Sequence, residues 1–322
     1  MSRTATPSFA LSRRALLAGL ASLPLAAPAL HASAAAPAIT ATTGMIADLA
    51  RRLTGGPVSA LMGPGMDPHG YRPTRSDILA LSRADLILWH GLNLEAQFTD
   101  VMADLSRRTP VLAVAETIPK DRLLSDPAYP DRPDPHVWFD PDLWLIAAES
   151  IAAALEEQGF DTGARLAGLR ADVAALQTYC AATLATVPEP ARVLVTAHDA
   201  FAYFGRAHGW QVEGIQGIST ESEAGLARIG ELVDLLVSRR IPAVFVESSV
   251  SDRTIRALIE GADAQGHYVT IGGELFSDAM GPDGSYEGTW IGMIDHNVTT
   301  IARALGGDAP ERGMVGKLDA GT

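Results

Sequence analysis

The chain has 322 residues, a formal net charge of −13 at pH 7 and one cysteine. Residues 1–34 contain three arginines and no acidic residue, so the chain without them carries a net charge of −16, which argues against nucleic acid or an anionic membrane surface as a partner. A single cysteine excludes an internal disulfide, and Cys180 lies on the apolar face of a predicted helix, as expected of a buried, unreactive thiol.

Residues 1–34 have the pattern of an export signal peptide. Their arginines precede an Ala- and Leu-rich apolar run, and Ala32-Ser33-Ala34 provides a small-residue cleavage site. The run is too short and too interrupted by proline to span a membrane well. The string SRRALLAG, with Arg13 and Arg14, resembles a twin-arginine signal that exports folded proteins, and an ordinary Sec signal is the alternative. Both routes predict a protein of the periplasm.

Strand and helix patterns alternate twice along the remaining chain, which predicts an α/β fold with two small lobes. Each lobe is expected to contain a four-stranded, mainly parallel sheet flanked by helices, with the N-terminal lobe at residues 35–160 and the C-terminal lobe at residues 189–322. The end of the chain, residues 306–322, is expected to be loosely held. The predicted strands are Ala38–Thr42, Val58–Met62, Asp85–Trp89, Val111–Val114, Arg192–Thr196, Gln211–Ile215, Ala243–Val246 and Tyr268–Ile271.

A long helix is predicted between the lobes, at residues 161–188. Apolar residues recur there at steps of three and four from Leu166 to Leu184, Asp161 is a candidate N-cap, and Pro188 ends the pattern. About 26 residues at 1.5 Å each give roughly 40 Å, which is enough to run along both lobes. We therefore expect a rigid bridge between the lobes.

Four residues of types that commonly bind metals follow predicted strands, two in each half of the chain. Ligands of parallel sheets bind at the carboxyl ends of the strands, so we expect these four residues to meet in one site between the lobes. Three imidazoles and one carboxylate complete a tetrahedral shell and leave little room for a reacting water, which indicates metal capture and not catalysis. The four are His69 in MDPHGYRPT, His136 in PDPHVWFDPD, His198 in TAHDAFAYFG and Asp278 in LFSDAMG.

Two further residues near the same predicted sheet edges are alternatives. Glu247, at the end of AVFVESS, could replace Asp278 or support the site from behind, and His90 in LILWHGLNLE could bind the metal or orient a ligand. The sequence contains no H-E-x-x-H, G-x-S-x-G, P-loop or G-x-G-x-x-G motif, so we expect no enzyme activity. A secreted zinc hydrolase with an open metal position is the alternative, because Asp278 has the weakest sequence signal of the four. The remaining histidines after the signal are expected to be structural: His208, His267 and His296.

Several motifs resemble the cluster A-I (TroA/ZnuA-like) family of periplasmic solute-binding proteins, over nearly the whole chain after the signal. They are MDPHGYRPTRSDILALSRADLILWHGLNLE, DPHVWFDPDLW, TAHDAFAYFGRAHGW, STESEAG, and GGELFSDAMG followed by GTWIGMIDHNV. The resemblance implies two α/β lobes bridged by one long helix, and delivery of zinc or manganese to an ABC importer. It also implies that the positions of His69, His136, His198 and Asp278 bind the metal, which leaves Glu247 a supporting role.

The identity of the metal depends on the third histidine. Zinc receptors of the resembled family usually carry His where this chain has His198, and manganese receptors usually carry Glu. Imidazole suits zinc, whereas manganese prefers oxygen donors. Many zinc receptors also have a long His-rich loop, whereas Lys120–Pro135 of this chain is short and contains no histidine. We predict zinc as the transported ion, with manganese, or dual use of both metals, as the alternative.

The expected partners follow from this role. They are the membrane permease of an ABC importer with its ATPase, and a periplasmic metallochaperone is a further candidate. The acidic chain is not expected to bind nucleic acid. We expect it to act as a monomer.

Overall fold

The computed structural model describes residues 36–125, 130–221 and 225–319, so the predicted export signal lies outside the described residues. Among the helices in these ranges, none is both long enough and apolar enough to cross a bilayer. Every pair of named strands in the same ranges is parallel, as the alternation of strands and helices predicts.

The first lobe is built on a four-stranded parallel sheet. Its elements are β1 (Ile39–Ala41), α1 (Gly44–Thr54), β2 (Ser59–Ala60), α2 (Arg75–Ser82), β3 (Leu86–Trp89), α3 (Thr99–Leu105) and β4 (Val111–Ala113). The strand order is β2-β1-β3-β4. Helix α1 begins at the cap Thr43, whose side chain accepts the N–H of Ile46, and it ends at Gly55, whose left-handed φ of 69° suits glycine. The β1–α1 junction therefore points the start of the helix toward the carboxyl edge of the sheet.

Two helices connect the lobes. They are α4 (Pro141–Glu157) and α5 (Gly163–Leu184). Helix α5 contains 22 residues, or about 33 Å, so it is shorter than the predicted span of 161–188. The predicted cap is also wrong: Thr162 occupies the N-cap position, while the carboxylate of Asp161 accepts the N–H of Gly163 in a local turn. The helix packs against α4 and α1 and, farther along, against the C-terminal lobe.

In the described part of the second lobe, four strands form two separate parallel pairs, so the prediction of one four-stranded sheet is wrong for this lobe. Its elements are β5 (Val193–His198), α6 (Ala202–His208), β6 (Gln211–Gln216), α7 (Leu226–Arg239), β7 (Ala243–Glu247), α8 (Arg253–Ala264), β8 (Thr270–Leu275) and α9 (Trp290–Ala304). Strand β5 pairs with β6, and β7 pairs with β8. Strands β5 and β7 lie side by side, and this places the ends of both pairs next to each other.

One buried apolar cluster extends through both lobes. It includes Leu49 of α1, Trp144 of α4, Leu176 of α5 and Val298 of α9, together with the central strands of each lobe. Cys180 on α5 belongs to this cluster, and burial raises the pKa of its thiol to about 12, which confirms the expectation of a buried, unreactive cysteine. The lobes therefore share a core through the helices that connect them.

The end of the chain is held more firmly than the sequence suggests. The backbone N–H of Met314 donates to both carboxylate oxygens of Asp295, at 3.0 and 2.9 Å, and Leu318 is buried. The N–H of Asp319 donates to the carboxylate of Glu287. The prediction of a loose tail is therefore wrong for residues 306–319. Its anchors are single polar contacts with no sequence periodicity, so the pattern could not reveal them.

Candidate metal centre

The structure brings the four predicted ligands into one cluster. One donor atom from each of His69, His136, His198 and Asp278 lies within 4.8 Å of the other three. The Nε2 atoms of His69 and His136 are 3.3 Å apart. The carboxylate oxygens of Asp278 lie 3.3 Å from Nε2 of His136, 3.2 Å from that of His198 and 3.9 Å from that of His69. Four donors at zinc distances of 2.0–2.1 Å from one ion would be about 3.3 Å apart, so these separations suit a single metal ion.

Each of the four residues lies at or after the carboxyl end of a strand. His69 is in the loop after β2, and His198 is the last residue of β5. His136 comes from the long connection between β4 and α4, and Asp278 lies three residues beyond β8. Parallel strands direct their carboxyl ends to one edge, so two lobes whose edges face each other can supply two ligands each.

The two Asp-Pro-His motifs form the same local turn. The Oδ1 atom of Asp67 accepts the backbone N–H of His69 at 2.8 Å, and Oδ1 of Asp134 accepts that of His136 at 2.9 Å. A carboxylate bonded to the backbone two residues later is an Asx turn, which fixes the chain just where each imidazole leaves it. The aspartate two residues before each histidine is a local signal for these turns that the sequence analysis missed.

Carboxylates also hold two of the imidazole rings from behind. Nδ1 of His136 lies 2.7 Å from Oδ1 of Asp134, and Nδ1 of His198 lies 2.6 Å from Oε2 of Glu247. Glu247 also accepts the backbone N–H of His198 at 2.9 Å. A carboxylate that holds Nδ1 directs Nε2 toward the centre and raises the basicity of the ring. Glu247 therefore occupies the supporting position behind His198, not the place of Asp278.

Burial and neighbouring charges move the pKa values of these groups in opposite directions. Burial lowers the pKa of His69 to about 3. Burial also acts on His136, but the charges of Asp134 and Asp278 outweigh it and raise the pKa of this histidine to about 9. Glu247 and Asp278 likewise overcome burial and raise the pKa of His198 well above its ordinary value. The metal-free centre thus holds protons that an arriving cation would displace.

Several buried polar atoms at the centre make no hydrogen bond of good geometry to a described residue. They are both oxygens of Asp278, both ring nitrogens of His198 and Oε2 of Glu247, although Nδ1 of His198 and Oε2 of Glu247 lie 2.6 Å apart. The histidines hold the pKa of Asp278 well below its usual range, even though burial by itself would raise it. A buried carboxylate without hydrogen bonds is costly in a folded protein unless another charge compensates it. In the metal-free protein the protons favoured on His136 and His198 supply that charge, and a divalent cation among these four side chains would replace them.

The other histidines make structural contacts. Nε2 of His90 lies 2.7 Å from the carbonyl oxygen of Pro135, so His90 supports the loop that carries His136 and is not part of the donor cluster. Nε2 of His267 and of His296 likewise lie within 3 Å of backbone carbonyls, at Ile241 and Glu274. The ring of His208, at the end of α6, packs against Phe204.

Two tryptophans connect the ligand loops across the lobes. The indole N–H of Trp138, two residues after His136, donates to the carbonyl oxygen of Ser277 at 3.0 Å. The indole N–H of Trp290 donates to the carbonyl oxygen of Trp138 at 3.1 Å. The loops that carry His136 and Asp278 are therefore held in register by buried hydrogen bonds.

Comparison with known proteins gives the family of the chain. The family model described as ZnuA, zinc-uptake complex component A periplasmic, matches residues 39–304. The manganese-binding lipoprotein MntA of Bacillus subtilis is 47% identical over 274 residues, which cover 83% of this chain and 89% of that protein. The zinc-binding protein TroA of Treponema pallidum is 43% identical over 275 residues, which cover 84% of this chain and 89% of that protein. The solved structure of the Treponema pallidum periplasmic zinc-binding protein TroA matches with a TM-score of 0.79 and 42% identity, over 84% of this chain and 99% of that one. The chain belongs to the ZnuA family.

Proposed function

We propose that this member of the ZnuA family captures one divalent transition-metal ion between its lobes and delivers it to the permease of an ABC importer. His69, His136, His198 and Asp278 are the proposed ligands. The observation that carries this proposal is the convergence of four buried donors, with one donor atom of each within 4.8 Å of the others. The buried carboxylate of Asp278, 3.2 to 3.9 Å from the three imidazoles, supplies negative charge to a cation that displaces their protons.

The geometry favours binding over catalysis. A catalytic zinc site usually has three protein ligands and keeps a fourth position for water or substrate. Here four protein side chains are available, and none of them is more than 4% exposed. This argues against the alternative of a secreted zinc hydrolase. It agrees with the description of the family as a component of an uptake complex.

Zinc is the metal that the donor set supports best. Three imidazole nitrogens and one carboxylate form a site that should bind zinc more tightly than manganese, because zinc ranks above manganese in the usual order of divalent-metal affinities. Manganese is the second candidate for two reasons. Both oxygens of Asp278 face the histidines, at 3.2 and 3.3 Å, so the carboxylate could offer two donors to a larger ion. In addition, a relative that is 47% identical is named for manganese binding.

We further propose that the mature chain works in the periplasm as a monomer. Its partners are the permease with its ATPase, and a metallochaperone is a further candidate. The export pattern of residues 1–34 and the periplasmic description of the family support this location. Fractionation of cells that express the full chain tests it. The expected product is a periplasmic protein that lacks the signal; full-length protein confined to the cytoplasm would contradict the proposal.

A competitive titration tests the function and the metal together. Mature protein stripped by a chelator is titrated with zinc and with manganese, and alanine variants of the four proposed ligands are titrated in parallel. We expect one zinc ion per chain and at least about a tenfold loss of affinity in each variant, because one donor of four is removed. His267→Ala, which changes a histidine outside the centre, is the matched control. Unchanged affinity in a ligand variant removes that residue from the site, and tighter binding of manganese overturns the choice of metal.

A further inference from the structure

An ion needs an opening to reach the buried centre. The four proposed ligands are between 0 and 4% exposed. In the described part of the chain, one cavity of about 130 Å³ is lined by Asp278, and another of about 190 Å³ is lined by His69. The walls of the two cavities differ in chemistry, and this difference distinguishes them as routes.

Two similar turns, one from each lobe, form the cavity at Asp278. They have the sequences Met62-Gly63-Pro64-Gly65 and Met280-Gly281-Pro282-Asp283-Gly284. The fourth residue of the first turn and the fifth of the second are glycines with φ values of 70° and 80°, a conformation that other residues rarely adopt. The same short motif therefore faces the cavity from both sides.

Methionines line this cavity from its mouth to its interior. Met62 and Met280 are buried, whereas Met66 is 44% exposed. The sulfur of Met66 accepts the N–H of Gly63 at 3.3 Å, a weak contact at the surface. Methionine side chains are unbranched and change shape easily, and thioethers bind metal ions only weakly compared with imidazole or carboxylate. Such a wall can part and close again without retaining the ion.

The charges also favour the cavity at Asp278. Asp278 and the exposed Asp283 line it, opposed by one cation, Arg51, whose Nε donates to the carbonyl oxygen of Val58. Of the described residues that line the cavity at His69, the charged ones are Arg132 and Glu221, which offset each other. An incoming cation therefore meets a net negative wall on one side and a balanced wall on the other.

We propose that the metal ion enters and leaves through the methionine-lined cavity, with Asp278 as the first ligand to meet it and the two Met-Gly-Pro turns as the gate. This inference rests on the proposed metal-binding function. The gate sets the rates of binding and release together. Equilibrium affinity is determined by the four ligands and is independent of the gate.

A bulky label at the mouth of each cavity tests the route. The chain is well suited to this because its natural cysteine, Cys180, is buried and should not react. Met66→Cys places a label at the mouth of the methionine-lined cavity, and the matched variant Ala96→Cys places one at the exposed wall of the cavity at His69. Both are loaded with zinc before reaction with a large maleimide. Release of zinc to excess chelator is then measured, with the unlabelled variants as controls.

We expect the label at position 66 to slow zinc release by about tenfold or more. The label at position 96 should change the release rate by no more than about twofold. Before labelling, the two variants should bind zinc with equal affinity. Slower release from the variant labelled at position 96 alone would assign the route to the side of His69. Unchanged release in both would show that the ion leaves by separation of the lobes. Either result overturns the inference and leaves the metal-binding function intact. Failure of the unaltered protein and of both unlabelled variants to bind either zinc or manganese would refute the function itself.

Discussion

Carboxylates behind the imidazoles shape the centre at the scale of single residues. Glu247 contacts both the backbone N–H and the ring Nδ1 of His198, and Asp134 does the same for His136. Each carboxylate thereby fixes the tautomer in which Nε2 is free to bind a metal. His69 differs, because Asp67 bonds to its backbone N–H and to the hydroxyl of Thr220. The first histidine is thus fixed through its backbone, and the other two through both backbone and ring.

Removing the charge behind His198 should weaken metal binding. Glu247→Gln keeps the size of the side chain but loses the negative charge 2.6 Å from Nδ1 of His198. We expect a loss of zinc affinity of about 10- to 100-fold, the usual effect of such a change behind a metal-binding histidine. Isothermal titration measures it. Glu274→Gln, which changes an exposed glutamate on the neighbouring strand β8, should bind zinc normally. Equal affinities of the two variants would contradict the supporting role of Glu247.

The raised pKa values predict that metal binding releases protons. The pKa of His136 is about 9 and that of His198 is well above its ordinary value, so both rings are protonated in the metal-free protein at pH 7. A metal ion must displace these protons, and apparent affinity should therefore increase with pH, by up to about tenfold per unit for each proton released. Titration calorimetry in buffers of different ionisation enthalpy measures the number of protons. Zinc binding without proton release between pH 6 and 8 would show that the rings are already neutral.

At the scale of elements, a side chain of helix α1 in the first lobe contacts the N-terminal end of helix α9 in the second lobe. The carboxylate of Asp48, on α1, accepts the N–H of Trp290 at the first residue of α9, at 2.9 Å. Burial raises the pKa of Asp48, although the hydrogen bond from Trp290 works against this. An anionic group at the start of a helix also favours the helix dipole. A side chain of the first lobe therefore helps to cap a helix of the second.

Loss of this contact should lower stability without altering the metal centre. Asp48→Ala removes an acceptor from a helix N-terminus, which typically costs about 1 kcal/mol, and we expect a decrease of a few degrees in the unfolding midpoint of the metal-free protein. Zinc affinity should stay close to that of the unaltered protein, because Asp48 contacts none of the ligands. Asp252→Ala, at the start of α8, is the control: it also removes an acidic group from the start of a helix, but the carboxylate of Asp252 bonds to Arg256 within the same helix. Equal midpoints for both variants would show that the contact between lobes contributes nothing to stability.

For the whole molecule, the shared core limits how far the lobes can separate. The apolar cluster continues from the first lobe through α4 and α5 into α9, so a wide opening would expose apolar surface. We therefore expect metal release to involve rearrangement of the ligand loops and only a small movement of the lobes. Small-angle scattering of metal-free and zinc-loaded protein should give nearly equal radii of gyration. A large compaction on loading would contradict a rigid bridge.

Much of the fold could be predicted from the sequence because it depends on local pattern. Alternating strands and helices indicated parallel sheets, and the apolar spacing on α5 indicated one long helix. Errors arose where single contacts decide the outcome. The N-cap of α5 is at Thr162 and not Asp161, and the chain end is fixed by the bond between Met314 and Asp295. Neither contact produces periodicity.

The sequence by itself determined the donor types, their positions after strands and the resemblance to a family of metal receptors. These follow from neighbours along the chain, since strand ends and Asx turns are set within a few residues. The strand pattern left open which carboxylate faces the histidines, because Glu247 and Asp278 both lie at or just beyond the ends of strands, and only the tertiary structure shows the contacts of each. Glu247 ends β7, directly beside β5, so its carboxylate lies behind His198, whereas the loop after β8 carries Asp278 to the front. The contact between β5 and β7 joins the two strand pairs from segments that are distant in the chain, and a linear pattern does not record such a contact.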